Sequence, residues 1–168
     1  LARVRERLEA EGLDAVFLGP STDLEYLSGL TLFPDERFKG LMVGREGLFA
    51  LVPLLYREDM GRTLGEDVPL QVWEDHQGFR DAWTRGCEAL GLGGRRIAVN
   101  DGVRAVDLLD AQEAVPGAYL NGARLLEPLR RRKEPEELEL LREASKRADE
   151  VVRRLAATLR PGMVEREL

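Results

Sequence analysis

Short apolar runs separated by amphipathic helical stretches constrain this chain most. Asp14–Gly19, Leu41–Val43, Leu48–Val52, Leu70–Trp73 and Ile97–Val99 each read as a strand of a few residues. Gly44-Arg45-Glu46-Gly47 joins the second and third into a β-hairpin. Between these runs the apolar spacing changes to the helical one. Leu1, Val4 and Leu8 recur every three or four residues, and Gly12 stands where such a helix would stop. Pro20–Asp23 reads as a turn, with Asp23 placed to cap a short helix through Tyr26 and Leu27. A helical segment follows Pro53 to about Leu64. Phe79, Trp83, Cys87 and Leu90 share one helical stripe. Asp101 is expected to cap a helix from about Val103 to Ala114, which ends at Pro116-Gly117. Strands alternating with helices, plus one antiparallel hairpin, predict an α/β fold: a mixed sheet in three layers, with helices on both faces.

Residues 118–128 fit a strand or irregular structure equally well. Beyond them the character changes. Arg130-Arg131-Arg132-Lys133 is a basic run, Pro135 suits the first turn of a helix, and Glu136 and Glu137 complement its positive end. Leu138, Leu141, Ala148, Val151, Leu155 and Leu159 then form one apolar stripe. Such a helix of roughly 25 residues would be about 38 Å long and would overhang a domain of about 130 residues. The chain therefore divides into a domain over 1–128 and, over 129–168, a linker with a long helix that reads as the first element of a further domain.

At 168 residues the chain can bury a real core. Its net charge of -6 argues against nucleic acid as a partner, which needs a basic footprint. No apolar run is long enough for a membrane span, and the mixed charge of residues 1–10 is unlike a secretory signal. One cysteine allows no internal disulfide and suits a reducing cytoplasm.

Three blocks carry a family resemblance. Gly12-Leu13-Asp14-Ala15-Val16 precedes Asp23-Leu24-Glu25-Tyr26-Leu27-Ser28-Gly29, and about a hundred residues later comes Leu129-Arg130-Arg131-Arg132-Lys133-Glu134-Pro135-Glu136-Glu137-Leu138. Together they resemble the amino-terminal half of the creatinase/prolidase family, which includes Xaa-Pro aminopeptidases and Xaa-Pro dipeptidases. Glu36-Arg37-Phe38 before the hairpin resembles the dipeptidase-like branch. Leu129, Arg130, Lys133 and Glu136 with Arg142 and Ala144 resemble the family's entry into its second domain, and Pro161-Gly162-Met163 followed by Glu165 and Glu167 resembles the end of that domain's first helix. The family often has Asn where Asp23 stands, and both residues cap helices.

The resemblance implies the ribonuclease H-like fold of the creatinase/prolidase N-terminal domain. It also implies a peptidase whose second, pita-bread domain holds two divalent metal ions (Mn, Co or Zn) on two aspartates, one histidine and two glutamates. Such a pair activates water and polarises the peptide carbonyl. No catalytic residue and no metal ligand carries over to this chain, whose one histidine, His76, lies in the first domain. What carries over is a loop. In family homodimers this domain leans over the partner subunit's active site and narrows it for short Xaa-Pro peptides. The corresponding stretch is Leu30–Phe38. Phe33 or Phe38 would wall a proline-sized pocket, and Arg37 would meet a peptide carboxylate with two hydrogen bonds. The alternative is that both aromatics are core and Arg37 pairs with a neighbouring acid.

Other signals are weaker. Glu74 and His76 would share one face of a strand, but no third ligand accompanies them. Gly91-Leu92-Gly93-Gly94 precedes a strand, whereas a dinucleotide loop follows one. Cys87 reads as a buried inert thiol, Trp73 and Trp83 as core, and the 130–133 basic run as interdomain pairing and linker solvation in preference to a nucleic-acid patch. Two further readings stay open: the metal-free chemistry of creatine amidinohydrolase, and a non-enzymatic interaction module like the family member found in a histone chaperone.

Overall fold

Along β1 (Ala15–Leu18), Ala15 and Phe17 enter one core cluster and Val16 and Leu18 another, and all four are fully buried. This two-residue alternation into two cores makes β1 a continuous apolar run. In the computed structural model, which describes residues 1–167, six strands form one sheet in the order β4-β3-β2-β1-β5-β6. The others are β2 (Gly40–Gly44), β3 (Leu48–Pro53), β4 (Leu70–Trp73), β5 (Arg96–Val99) and β6 (Ala118–Asn121). β2 is antiparallel to both β1 and β3, and the remaining pairings are parallel. Five strands thus run one way and β2 alone runs back.

Helices cover both faces, as the alternating pattern predicts. One cluster takes in Val4 and Leu8 from α1 (Ala2–Ala10), Leu24 from α2 (Thr22–Ser28), Met60 from α3 (Arg57–Leu64), and Leu125, Leu126 and Leu129 from α6 (Ala123–Arg131). The other takes in Trp83 and Cys87 from α4 (Arg80–Ala89) and Ala111 from α5 (Ala105–Ala114). Trp83 is fully buried, and its indole N–H donates to the Ala111 carbonyl at 3.1 Å, tying α4 to α5. Cys87 is buried beside it, and burial pushes its thiol up to about 12. Such a thiol is inert at neutral pH.

Two helix starts differ from the sequence expectation. Ser21, and not Asp23, caps α2: its backbone is extended and its Oγ accepts from Leu24 N–H at 3.2 Å. Asp23 lies inside the first turn and pairs with Arg130 at 2.9 Å. Asp101 does not cap α5, which begins at Ala105 after an extended Arg104. The reason is a close crossing at the ends of β1 and β5. A Cβ on Gly102 would lie 2.4 Å from the Pro20 carbonyl oxygen, so the chain must clear that crossing before it coils.

The segment left open, 118–128, resolves into β6 and most of α6. Pro128 lies inside α6 and has no N–H for the carbonyl of Arg124. Arg7 of α1 donates its Nη2 to that carbonyl at 3.0 Å. The side chain of a distant helix thereby replaces the missing helical bond.

The chain divides into two compact units, Leu1–Arg131 and the stretch from Arg132 onward. The second unit is built on α7 (Pro135–Thr158), with Pro135 in its first turn and Glu137 accepting from Glu134 N–H at 2.8 Å. No described helix is long and apolar enough to cross a membrane.

The Arg7–Arg124 contact is expected to be worth about 1 kcal/mol. Arg7→Ala should lower the urea midpoint accordingly, and the same change should cost less in a Pro128→Ala background, where the carbonyl regains its helical donor. Equal costs in both backgrounds would show that Arg7 does not compensate for the proline.

Candidate functional site

In open α/β sheets, ligands meet the carboxyl edge of the strands. Here that edge gathers the ends of β1, β3, β4, β5 and β6. Because β2 runs back, it also holds the start of β2 and the segment leading into it, residues 29–39. A Cβ on Gly40 would lie 2.1 Å from the Leu18 carbonyl oxygen, so only glycine lets the segment enter the sheet beside the end of β1.

Asp35 organises this segment. Its Oδ1 accepts from Lys39 Nζ and from Arg37 N–H at 2.9 Å, and its Oδ2 accepts from Tyr56 O–H at 2.5 Å. Lys39 is completely buried, and its ammonium also lies 4.7 Å from the centre of the Tyr56 ring. Arg104 donates to the Asp35 carbonyl at 3.3 Å and pairs with Asp107 at 3.1 Å. Partial burial alone would push the Asp35 carboxyl up. The bonds from Lys39, Tyr56 and Arg37 N–H, with the charge of Lys39, outweigh it and hold the group at about 2. Asp107 is shifted upward, chiefly by burial.

The three residues singled out on this loop take different places. Phe38 is core: its ring lies 4.9 Å from Phe17 and 4.6 Å from Phe79, and its carbonyl accepts from the Trp73 indole N–H at 3.0 Å. Phe33 is 81% exposed. Arg37 is partly exposed and meets Asp75 through two parallel hydrogen bonds, 3.0 Å from Nε and 2.8 Å from Nη2, while Nη1 reaches Glu36 at 2.6 Å. The Asp75 bond raises the guanidinium and lowers the carboxyl. One aromatic and the arginine thus face outward, and the second aromatic anchors the backbone between them and the sheet.

Glu74 and His76 fall beyond the end of β4, so they do not share a strand face. They approach to 3.5 Å on the surface. Gly91–Gly94 forms the turn between α4 and β5. In the basic run, Arg130 pairs with Asp23 and Arg131 with Glu127.

Residues 1–131 match the model of the Creatinase/Prolidase N-terminal domain. The chain belongs to this family. Among solved structures, the creatinase/prolidase chain is similar to a dipeptidase from Pyrococcus horikoshii OT3, with 30% identity and a TM-score of 0.83 over 99% of this chain and 46% of that one. Dipeptidase PepE from Mycobacterium ulcerans is 28% identical with a TM-score of 0.81, over 98% of this chain and 44% of that one. A recombinant prolidase from Thermococcus sibiricus shares the fold at 21% identity and a TM-score of 0.82, over 98% of this chain and 45% of that one. The chain therefore spans a little under half the length of these structures. No curated protein sequence matches it.

Sequence reasoning missed Asp35, Lys39, Tyr56 and Asp75. The only local signal was a lysine set directly against an apolar strand, between Phe38 and Gly40-Leu41. A carboxyl held below its ordinary value stabilises the folded chain fully above pH about 3.8, and that contribution is lost as pH falls through about 2. The stability difference between the wild type and Asp35→Asn, followed by urea denaturation from pH 5 to pH 2, should therefore shrink toward acid. A constant difference would detach the carboxylate from the effect.

Proposed function

We propose that this chain is the non-catalytic amino-terminal domain of a dinuclear-metal Xaa-Pro peptidase, a dipeptidase or aminopeptidase that hydrolyses the bond before proline. The observation that carries the reading is the 30% identity to a dipeptidase across 99% of this chain, within only 46% of that protein's length. Short Xaa-Pro peptides are the substrates, and the working form is a homodimer in the cytoplasm.

Two divalent metal ions, Mn, Co or Zn, belong to this reading. Among the described residues, no three His, Cys, Asp or Glu side chains gather as a metal site. Their ligands are assigned to the remainder of the longer protein.

What this chain supplies is the rim of a substrate site. Phe33 offers an exposed apolar face for a proline ring, and Arg37 offers a planar fork already engaged with a carboxylate, Asp75. A peptide carboxylate would take the same two parallel bonds by exchanging with Asp75. Phe38 serves from behind, holding the backbone through the aromatic core.

Arg37→Ala in the longer protein should raise KM for Xaa-Pro dipeptides about tenfold or more, as expected for loss of a charge-assisted pair, with a smaller effect on longer peptides. Unchanged KM and kcat would remove Arg37 from the site. The 168-residue chain alone should not cleave Xaa-Pro peptides with added Mn²⁺, Co²⁺ or Zn²⁺. Cleavage abolished by chelation would overturn the assignment of catalysis to the remainder.

A further inference from the structure

A lysine buried to the last atom is costly unless its charge is compensated, and even a compensated pair seldom adds net stability over an apolar replacement. Lys39 is such a residue, and its position is the informative part. It directly precedes β2, at the sheet edge where Gly40 crosses the end of β1. Successive side chains of this extended segment divide between the two cores. Phe38 enters the aromatic cluster, whereas Lys39 lies over Tyr56, which packs against the other cluster. From there Lys39 Nζ reaches back to Asp35, two residues before Arg37, and Asp35 also takes the Tyr56 hydroxyl and the Arg37 amide. The segment 35–39 is therefore pinned at both ends, by Asp35 and by Phe38–Lys39. Arg37 sits between the pins with its guanidinium on Asp75.

We propose that Lys39, Asp35 and Tyr56 form a positioning clamp, whose role is to hold the Asp35–Lys39 backbone in one conformation and so present Arg37 at the sheet edge. The pair acts through loop geometry and adds little to global stability beyond what an uncharged replacement of both residues would give. Its consequence for substrate rests on the reading of Arg37 given above. The clamp itself is tested in the 168-residue chain without substrate, so the two can fail separately.

The test separates stability from loop geometry. Lys39→Met and the double variant D35N/K39M are compared with wild type by three measurements. These are the urea midpoint, the rate of trypsin cleavage after Arg37 in the folded chain, and the resonance of the Trp73 indole proton, whose acceptor is the Phe38 carbonyl. Lys39→Met alone leaves Asp35 without its cation and should lower the midpoint. The double variant should return to the wild-type midpoint or above it, yet be cut after Arg37 at least tenfold faster, with a displaced indole resonance. Wild-type cleavage and an unmoved indole proton in the double variant would overturn the proposal. So would faster cleavage that merely tracks a lowered midpoint. Tyr56→Phe keeps the ring beneath the ammonium and removes only the bond to Asp35. It should accelerate cleavage about threefold if the clamp operates, and an unchanged rate in this mild variant would equally overturn it.

Discussion

The reversal of one strand governs the arrangement of this domain. β2 lies between β1 and β3 and runs against both, so the chain leaving β1 must return through α2 and a loop to the edge it has just left. Five strand ends and one strand start therefore meet along a single edge. That edge carries Asn100, whose side chain accepts from Gly19 N–H at 2.9 Å and donates to Ser21 Oγ at 2.6 Å. It also carries the loop with Phe33 and Arg37. Gly40 makes the return sterically feasible, because a side chain there would collide with the backbone of β1. Had β2 been parallel, the same loop residues would have lain at the opposite edge, away from Tyr56 and Asp75.

Polar groups at this edge are linked into one network. Asp35 receives Lys39, Tyr56 and a backbone amide. Arg104 reaches the Asp35 carbonyl and Asp107, and Arg37 bridges Asp75 and Glu36. Such a network costs desolvation, and it is tolerated because nearly every donor and acceptor finds a partner of matching geometry. The aromatic cluster behind it, with Phe17, Phe38, Phe79 and Trp83 in edge-on or tilted contacts, supplies the apolar support. Order at the rim is thus inherited from a rigid core through Phe38.

Local pattern made much of this legible. Short continuous apolar runs named five of the six strands, because a strand covered on both faces is apolar throughout, and period-three-to-four stripes named α1, α4 and α7, because burial against one neighbouring layer imposes that period. Cys87 and Trp83 read as core for the same reason. β6 and α6 were obscured. Ala118–Asn121 is only partly buried, and Pro128 contradicts a helix unless a donor from elsewhere replaces the lost bond. That donor, Arg7, is more than a hundred residues away in sequence. The capping errors had a similar origin. Asp23 and Asp101 are both good cap residues, but Ser21 held the extended conformation that a cap needs, and the crossing at Gly102 delayed α5.

The sequence by itself determined the layered α/β class, the hairpin, the proline-started α7 and, through its three motif blocks, the family. These follow from residue types and spacings within a few turns or strand repeats. Only the tertiary structure decided the chemistry of the rim: that Phe38 faces inward while Phe33 faces out, that Arg37 meets Asp75, and that a buried Lys39 closes on Asp35 under Tyr56. Arg37 and Asp75 are 38 residues apart and share no local pattern. What joins them is the order of strands in the sheet, which sets the distances over which charges pair and which no periodicity of single elements records.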